Sequence, residues 1–138
     1  MNRLWSEEEI GVFFDSCFSD FDTRSLGLLA AFVYDLGVRE KYLRELEWVD
    51  FSKDLFSVVI SDVSYTLSDN LKAMTQQQKD EWDFQPYVFP YWSNKDWCYK
   101  PLYQQLVAYH MKEVRDRTGL PKELNLKTLR LTSLEKGK

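Results

Sequence analysis

Apolar residues recur every three or four positions through the first third of the chain, which is the spacing of amphipathic helices. Ser6 and Glu9 form a capping box, in which a hydroxyl and a carboxylate satisfy the free N–H groups at a helix start. Gly37 is the residue type that most readily adopts the left-handed conformation of a helix end. The pattern therefore predicts three helices, over residues 7–18, from Asp22 or Thr23 to Gly37, and across residues 42–48.

Beyond residue 54 the period changes to two, and β-branched residues predict two strands, over residues 55–60 and 63–67. Ser61 and Asp62 suit the tight turn of an antiparallel hairpin. The pattern then returns to helical spacing. Three more helices are predicted, from a cap at Ser68 to about Lys79, over residues 101–117 up to Gly119, and over residues 126–134. The predicted fold class is mainly α with a small antiparallel β-hairpin (α+β).

The length and composition indicate one globular domain over residues 1–138. Hydrophobic residues make up 44% of the chain, which argues against a disordered segment. No apolar run approaches the ~20 residues of a membrane helix, and the first residues lack an apolar export signal. A single histidine with Cys17 and Cys98 makes a zinc site or a disulfide framework a poor interpretation. We therefore expect neither a metal nor another cofactor, and no association with membranes.

Charge is distributed unevenly. Residues 1–110 hold 10 Lys and Arg against 18 Asp and Glu, whereas residues 111–138 hold 8 against 4. A basic surface is the usual footprint of nucleic-acid binding, so DNA contacts are expected mainly near the C-terminal end. A mixed, solvated face is the alternative, because acids are interspersed there. The basic cluster that could face DNA comprises six of these eight residues: Lys112, Arg115, Arg117, Lys122, Lys127 and Arg130.

The stretch from residue 82 to residue 103 carries nine aromatic side chains. Pro86 and Pro90 keep its first half extended. Tryptophan and tyrosine are favoured at the centres of protein interfaces, so this stretch is a candidate binding surface. The alternative is that it wraps the fold and fills the core beneath a long connection. The candidate partner-binding residues are Trp82, Tyr91, Trp92 and Trp97.

Two segments carry a resemblance to a known family. Residues 36–51, LGVREKYLRELEWVDF, resemble the first arginine box of tyrosine recombinases, or phage integrases, and residues 126–132, LKTLRLT, resemble their His-x-x-Arg box. Between them, YVFPY at residues 87–91 and GLP at residues 119–121 are similar to integrase sequences. The four segments follow the order and spacing of the family, and the resemblance extends from Ser6 to Leu134. It implies the fold of the recombinase catalytic core.

The resemblance also implies a chemistry. In the family, two arginines hold the non-bridging oxygens of a DNA phosphate, a tyrosine attacks the phosphorus, and a turn lysine and a histidine assist proton transfer. Arg39 matches the first arginine and Arg130 the second. Lys127 stands at the histidine position. Ser61 and Asp62 occupy the turn that should carry the lysine, so Asp62 places a carboxylate where the phosphate would lie.

Other departures from the family pattern also argue against catalysis. Tyr42 occupies a position that is usually acidic. The sequence given ends eight residues after Arg130, before the third box and the nucleophilic tyrosine, and nothing in it matches an N-terminal arm-type domain. We therefore expect a truncated, non-catalytic recombinase-like domain.

The expected function is that of a phage-encoded, integrase-like domain with a remnant phosphate pocket for double-stranded DNA. The expected site residues are Arg39, Lys127 and Arg130, with Arg117 and Lys122 as further DNA contacts. One alternative is a recruited protein-interaction or phage structural module, which self-associates or binds a protein partner. Another is a recombinase fragment that a second chain completes in trans. The expected location is the cytoplasm of a bacterial host or the virion.

Overall fold

The structure is a computed structural model that describes residues 3–136. Within this range it has five α-helices and two separate antiparallel hairpins, joined by short 3-10 turns. The mainly α class with a small hairpin is thereby confirmed. In chain order the elements are α1 (Glu7–Ser19), α2 (Arg24–Leu36), β1 (Ser57–Ile60), β2 (Val63–Thr66), α3 (Asp69–Trp82), β3 (Pro90–Ser93), β4 (Cys98–Pro101), α4 (Gln104–Thr118) and α5 (Leu126–Lys136).

Capping interactions are present in the structure at several of the predicted helix boundaries. The Ser6 hydroxyl accepts a hydrogen bond from the Glu9 N–H at 3.1 Å, and the Glu9 carboxylate accepts one from the Ser6 N–H at 2.8 Å, which completes the capping box. Gly37 ends α2 with φ +67°, and Ser68 begins α3 by accepting from the Leu71 N–H. Thr23 precedes α2, as predicted, but its side chain makes no cap.

The third predicted helix is wrong. Residues 42–48 form instead a loop flanked by two 3-10 turns, Glu40–Tyr42 and Trp48–Asp50. The reason is tertiary, because the backbone here pairs with the segment before β3. The Trp48 N–H donates to the Pro86 carbonyl, and the Val88 N–H donates to the Leu46 carbonyl, both at 3.0 Å. A continuous helix would require these groups for its own hydrogen bonds.

The predicted hairpin is confirmed, and a second one lies in the aromatic stretch. In the first, Ser61 and Asp62 both adopt positive φ, as a two-residue hairpin turn requires. In the second, β3 pairs with β4 from Pro90 opposite Pro101 to Ser93 opposite Cys98. No glycine marks this turn, since its positive-φ position is occupied by Trp97.

Helix α2 forms the centre of the fold, because all of its residues from Leu26 to Val33 are buried. It packs against each of the other four helices. Trp5, ahead of α1, is only 3% exposed and covers α5, where its indole N–H donates to Thr128 Oγ1 at 2.9 Å. Across the described residues, no helix is long and apolar enough to cross a membrane.

Candidate functional site

A surface groove of about 720 Å³ lies where the segment after α2 meets α4 and α5. Its lining comes from the segment after α2, from α4, which supplies the apolar Val107, Ala108 and Met111, and from the start of α5. Six cationic side chains from residues 3–136 line it, and we call this site the basic groove. They are Arg39, Lys41, Arg44, Arg115, Lys127 and Arg130.

Arg39 and Arg130, the arginines of the two family-like segments, are both positioned by the end of α2. Gly37 takes the left-handed conformation, and its carbonyl oxygen accepts a hydrogen bond from Arg130 Nε at 2.7 Å. This bond fixes the guanidinium of Arg130 while its two terminal nitrogens have no hydrogen-bond partner among residues 3–136. Arg39 follows Gly37 closely, and its exposed side chain likewise bonds to none of the described residues.

The start of α5 is rigid, which places Lys127. The Thr128 N–H donates to Asn125 Oδ1 at 2.9 Å, and the Asn125 N–H donates to Thr128 Oγ1 at 3.0 Å. Trp5 adds its indole N–H to the same hydroxyl. Lys127, between these anchored neighbours, is exposed and faces the groove.

One carboxylate, Glu40, lies among the groove-lining residues of the described chain, and it is already paired. Arg44 Nε lies 2.9 Å from Glu40 Oε2. Burial raises the pKa of Glu40 above its ordinary value, and the charge of Arg44 opposes that rise. The pair leaves the other five cations without a neutralising partner in the groove, so the site has a surplus of positive charge in a chain whose net charge is −4.

Some residues named from sequence lie elsewhere. Arg117 donates to Ser16 Oγ at 2.9 Å and pairs with Asp20 at 3.2 Å, so it fastens α4 to α1. Lys122 is exposed but does not line the groove. Asp62 does not line it either, so the turn carboxylate does not face the cations.

Two groove cations, Lys41 and Arg44, were absent from the predicted site, and Arg115 was named only as part of the basic C-terminal region. Lys41 and Arg44 belong to the same arginine-box segment as Arg39, at spacings that one turn of chain brings to the same side. Arg115 stood in the basic C-terminal region, and its Nη1 donates to the Leu124 carbonyl at 2.7 Å, which carries it toward α5. Only its hydrogen bonds to the carbonyls of Lys122 and Leu124, just before α5, show that it shares the groove.

The aromatic stretch contributes a second surface. Six rings in mutual contact form what we call the aromatic surface. Tyr91 does not join it, because alternation along β3 turns this residue to the other side, where it contacts Tyr103 and packs on the core. The six residues are Phe21, Trp82, Phe84, Trp92, Trp97 and Tyr99.

Comparison with known proteins identifies the fold of this chain. No family model matches the chain, and no curated protein matches it in sequence. Among solved structures, a lambda integrase tetramer bound to a Holliday junction aligns with a TM-score of 0.70 at 17% identity. XerH site-specific recombinase bound to a difH substrate aligns with a TM-score of 0.70 at 18% identity.

The chain has a tyrosine recombinase fold. The alignments include 97% and 98% of this chain but only 42% and 43% of those two proteins. A lambda integrase dimer bound to a COC′ core site gives a TM-score of 0.67 at 18% identity, over 96% of this chain and 39% of that one. The chain thus spans about two fifths of the length of these recombinases, and the resemblance read from its sequence is confirmed at the level of the fold.

Proposed function

We propose that this chain is a single integrase-like domain that binds the phosphates of duplex DNA without cutting them. The observation that carries the proposal is the basic groove. Six cations converge there around one carboxylate that is already paired, although the chain as a whole is acidic. Like charges brought together repel each other, and an anion in the groove relieves that repulsion.

The geometry of the groove suits a phosphodiester. A guanidinium presents parallel N–H donors that match two oxygens of one phosphate. Arg130 is already oriented by the Gly37 carbonyl, so binding costs it little side-chain entropy. Lys127 and Arg39 add charge on either side. The cavity of about 720 Å³ is large enough for a stretch of sugar–phosphate backbone rather than a lone ion.

The absence of cleavage is part of the proposal. Within residues 3–136, neither a tyrosine nor a histidine lines the groove. Lys127 stands at the position of the family histidine, and a lysine side chain can hold a phosphate but is a poor general base. The turn at Ser61 and Asp62 offers no lysine. We further propose a phage or an integrated element as its origin, with action in the host cytoplasm or in the virion.

The test is a fluorescence-anisotropy titration with duplex DNA at ~50 and ~200 mM salt. For Arg39→Ala/Arg130→Ala we expect weaker binding and a log–log salt slope shallower by about 2, one unit for each lost phosphate contact. The matched control is Lys112→Ala/Lys122→Ala, which removes two exposed positive charges outside the groove and should leave the slope unchanged. No binding at the lower salt, or an equal loss in the control, would contradict the proposal.

A further inference from the structure

The aromatic surface is independent of the basic groove. It shares no residue with the groove, and its rings come from the turn before α2, the end of α3 and the second hairpin. The ring centroids lie 5.0–6.0 Å apart in an unbroken chain of contacts. Phe84 is 65% exposed and Trp97 is 77% exposed, so these rings contribute little to the core. Several exposed rings in contact are typical of an interaction surface.

Trp97 lies at the tip of the second hairpin in an unfavourable backbone conformation. Its φ is +53°, a region that glycine occupies without strain and that side chains with a Cβ rarely adopt. Among the aromatic rings of residues 3–136, the indole contacts that of Trp92, edge to face, with the centroids 6.0 Å apart. Folding alone therefore does not account for a tryptophan at this position.

The rim of the aromatic surface is acidic. Among the residues next in sequence to the six rings, five are acids and one, Lys100, is a base. Three of the acids are paired within the described chain: Asp20 with Arg117, Glu81 with Arg24, and Asp96 with Lys100.

Two acids of the rim remain available. Asp22, beside Phe21, and Asp83, between Trp82 and Phe84, are exposed, and their carboxylates have no ion-pair partner among residues 3–136. The surface therefore presents open ring faces together with uncompensated negative charge. Both features attract a cation.

An arginine of the chain itself already makes such a contact at this surface. The guanidinium carbon of Arg24 lies 5.9 Å from the centroid of Phe21, while its Nη1 pairs with the Glu81 carboxylate at 3.3 Å. At the edge of the aromatic surface, an arginine therefore contacts a ring and a carboxylate at the same time. Asp22 and Asp83 offer the same combination of ring and carboxylate to a guanidinium from outside.

We propose that the aromatic surface binds an arginine-bearing basic segment of a protein partner. The flat guanidinium of one arginine lies against Phe84 and donates to the adjacent Asp83, and a second one lies against Trp97 and Trp92 at the tip of the hairpin. The rings exclude water around that contact, which is how aromatic residues become the centres of interfaces. The proposal does not depend on DNA binding, because the groove plays no part in it.

The test uses a short fluorescein-labelled peptide of alternating arginine and serine, with lysine–serine and glutamate–serine peptides of equal length. We expect the arginine peptide to bind best, the lysine peptide more weakly because it lacks a planar cation, and the glutamate peptide not at all. Trp97→Gly should lower the affinity roughly 10-fold. Glycine suits the positive φ, so this variant should remain folded. Asp83→Asn should lower the affinity about threefold.

Two matched controls separate this surface from general attraction to an acidic protein. Tyr109→Ala removes another exposed ring, on α4, and Glu8→Gln removes another exposed acid, on α1; neither should change the affinity. An unchanged affinity in Trp97→Gly, or equal binding of the lysine peptide, would overturn the proposal. So would a single-stranded oligonucleotide that competes for this surface, or self-association on a sizing column that Trp97→Gly abolishes.

Discussion

The basic groove and the aromatic surface are built in opposite ways. The groove collects charged side chains from three segments that are distant in sequence, and backbone carbonyls and a capped helix hold them in place. The aromatic surface comes mainly from one stretch of chain, whose rings support each other while remaining open to water. The groove has a surplus of positive charge, and the aromatic surface has an acidic rim. One acidic chain can therefore present separate sites for an anion and for a cation.

The largest expected effect is the loss of stability when Trp5, which supports the groove through α5, is substituted. Trp5→Ala should destabilise the protein by about 3–5 kcal/mol, because it empties a buried aromatic site against α5. Trp5→Phe should cost about 1–2 kcal/mol, since it keeps a ring but removes the indole donor to Thr128 and the Asn125 carbonyl. Urea unfolding measures both variants.

Binding assays on the same variants test whether the basic groove and the aromatic surface act independently. Under conditions where Trp5→Phe remains folded, its affinity for duplex DNA should fall because α5 carries Lys127 and Arg130. Its affinity for the arginine peptide should not change. A loss of stability in Trp5→Ala below about 1 kcal/mol would show that this tryptophan does not support α5.

The second effect is roughly a 10-fold loss of peptide affinity after thiol labelling. Burial raises the pKa of Cys17 to about 12, so near neutral pH its thiol stays protonated and unreactive. Cys98 is exposed, between Trp97 and Tyr99. By the alternation along β4, Cys98 lies on the side of the hairpin opposite Tyr99, next to Trp97 at the tip. A bulky maleimide should attach to Cys98 alone in the folded protein and crowd Trp97 at the tip, while DNA binding persists.

Mass spectrometry gives the number of labels, and anisotropy gives both affinities. Cys98→Ser is the control, since treatment of that variant should add no label and change neither affinity. If the label at Cys98 weakened DNA binding as much as peptide binding, the two surfaces would not be independent.

The smallest expected effect is a gain in the affinity for DNA. Glu40→Gln removes the one carboxylate of the described groove lining and should raise the affinity for DNA about threefold. Because burial raises the pKa of Glu40, the folded state takes up its proton more readily than the unfolded state. The resulting stability is present at low pH and is lost as the pH rises through the raised pKa. The affinity for DNA should fall over the same interval.

Anisotropy at two pH values on either side of that titration checks this expectation. The variant Glu40→Gln should lose the pH dependence. Glu45→Gln is the matched control, since Glu45 is exposed nearby but does not line the groove. A similar gain in Glu45→Gln would mean that overall charge, and not the groove, controls the affinity.

The fold could be predicted wherever a local interaction decides it. The capping box at Ser6 and Glu9, the helix end at Gly37 and the cap at Ser68 each act within a few residues, and each is present in the structure. The third predicted helix failed because residues 46–48 pair with residues 86–88, which no local pattern contains. The second hairpin was missed because Trp97 takes a place where glycine is the usual signal.

For the candidate site, the chemistry of each part could be predicted from the residues alone. The sequence placed Arg39 after a helix end and Arg130 with Lys127 on a late helix, and it concentrated aromatic residues in one stretch. The tertiary structure decided which parts meet. Arg115, Lys41 and Arg44 joined the groove and Arg117 did not, because side chains from distant segments meet only where helices pack, and that packing depends on the whole core.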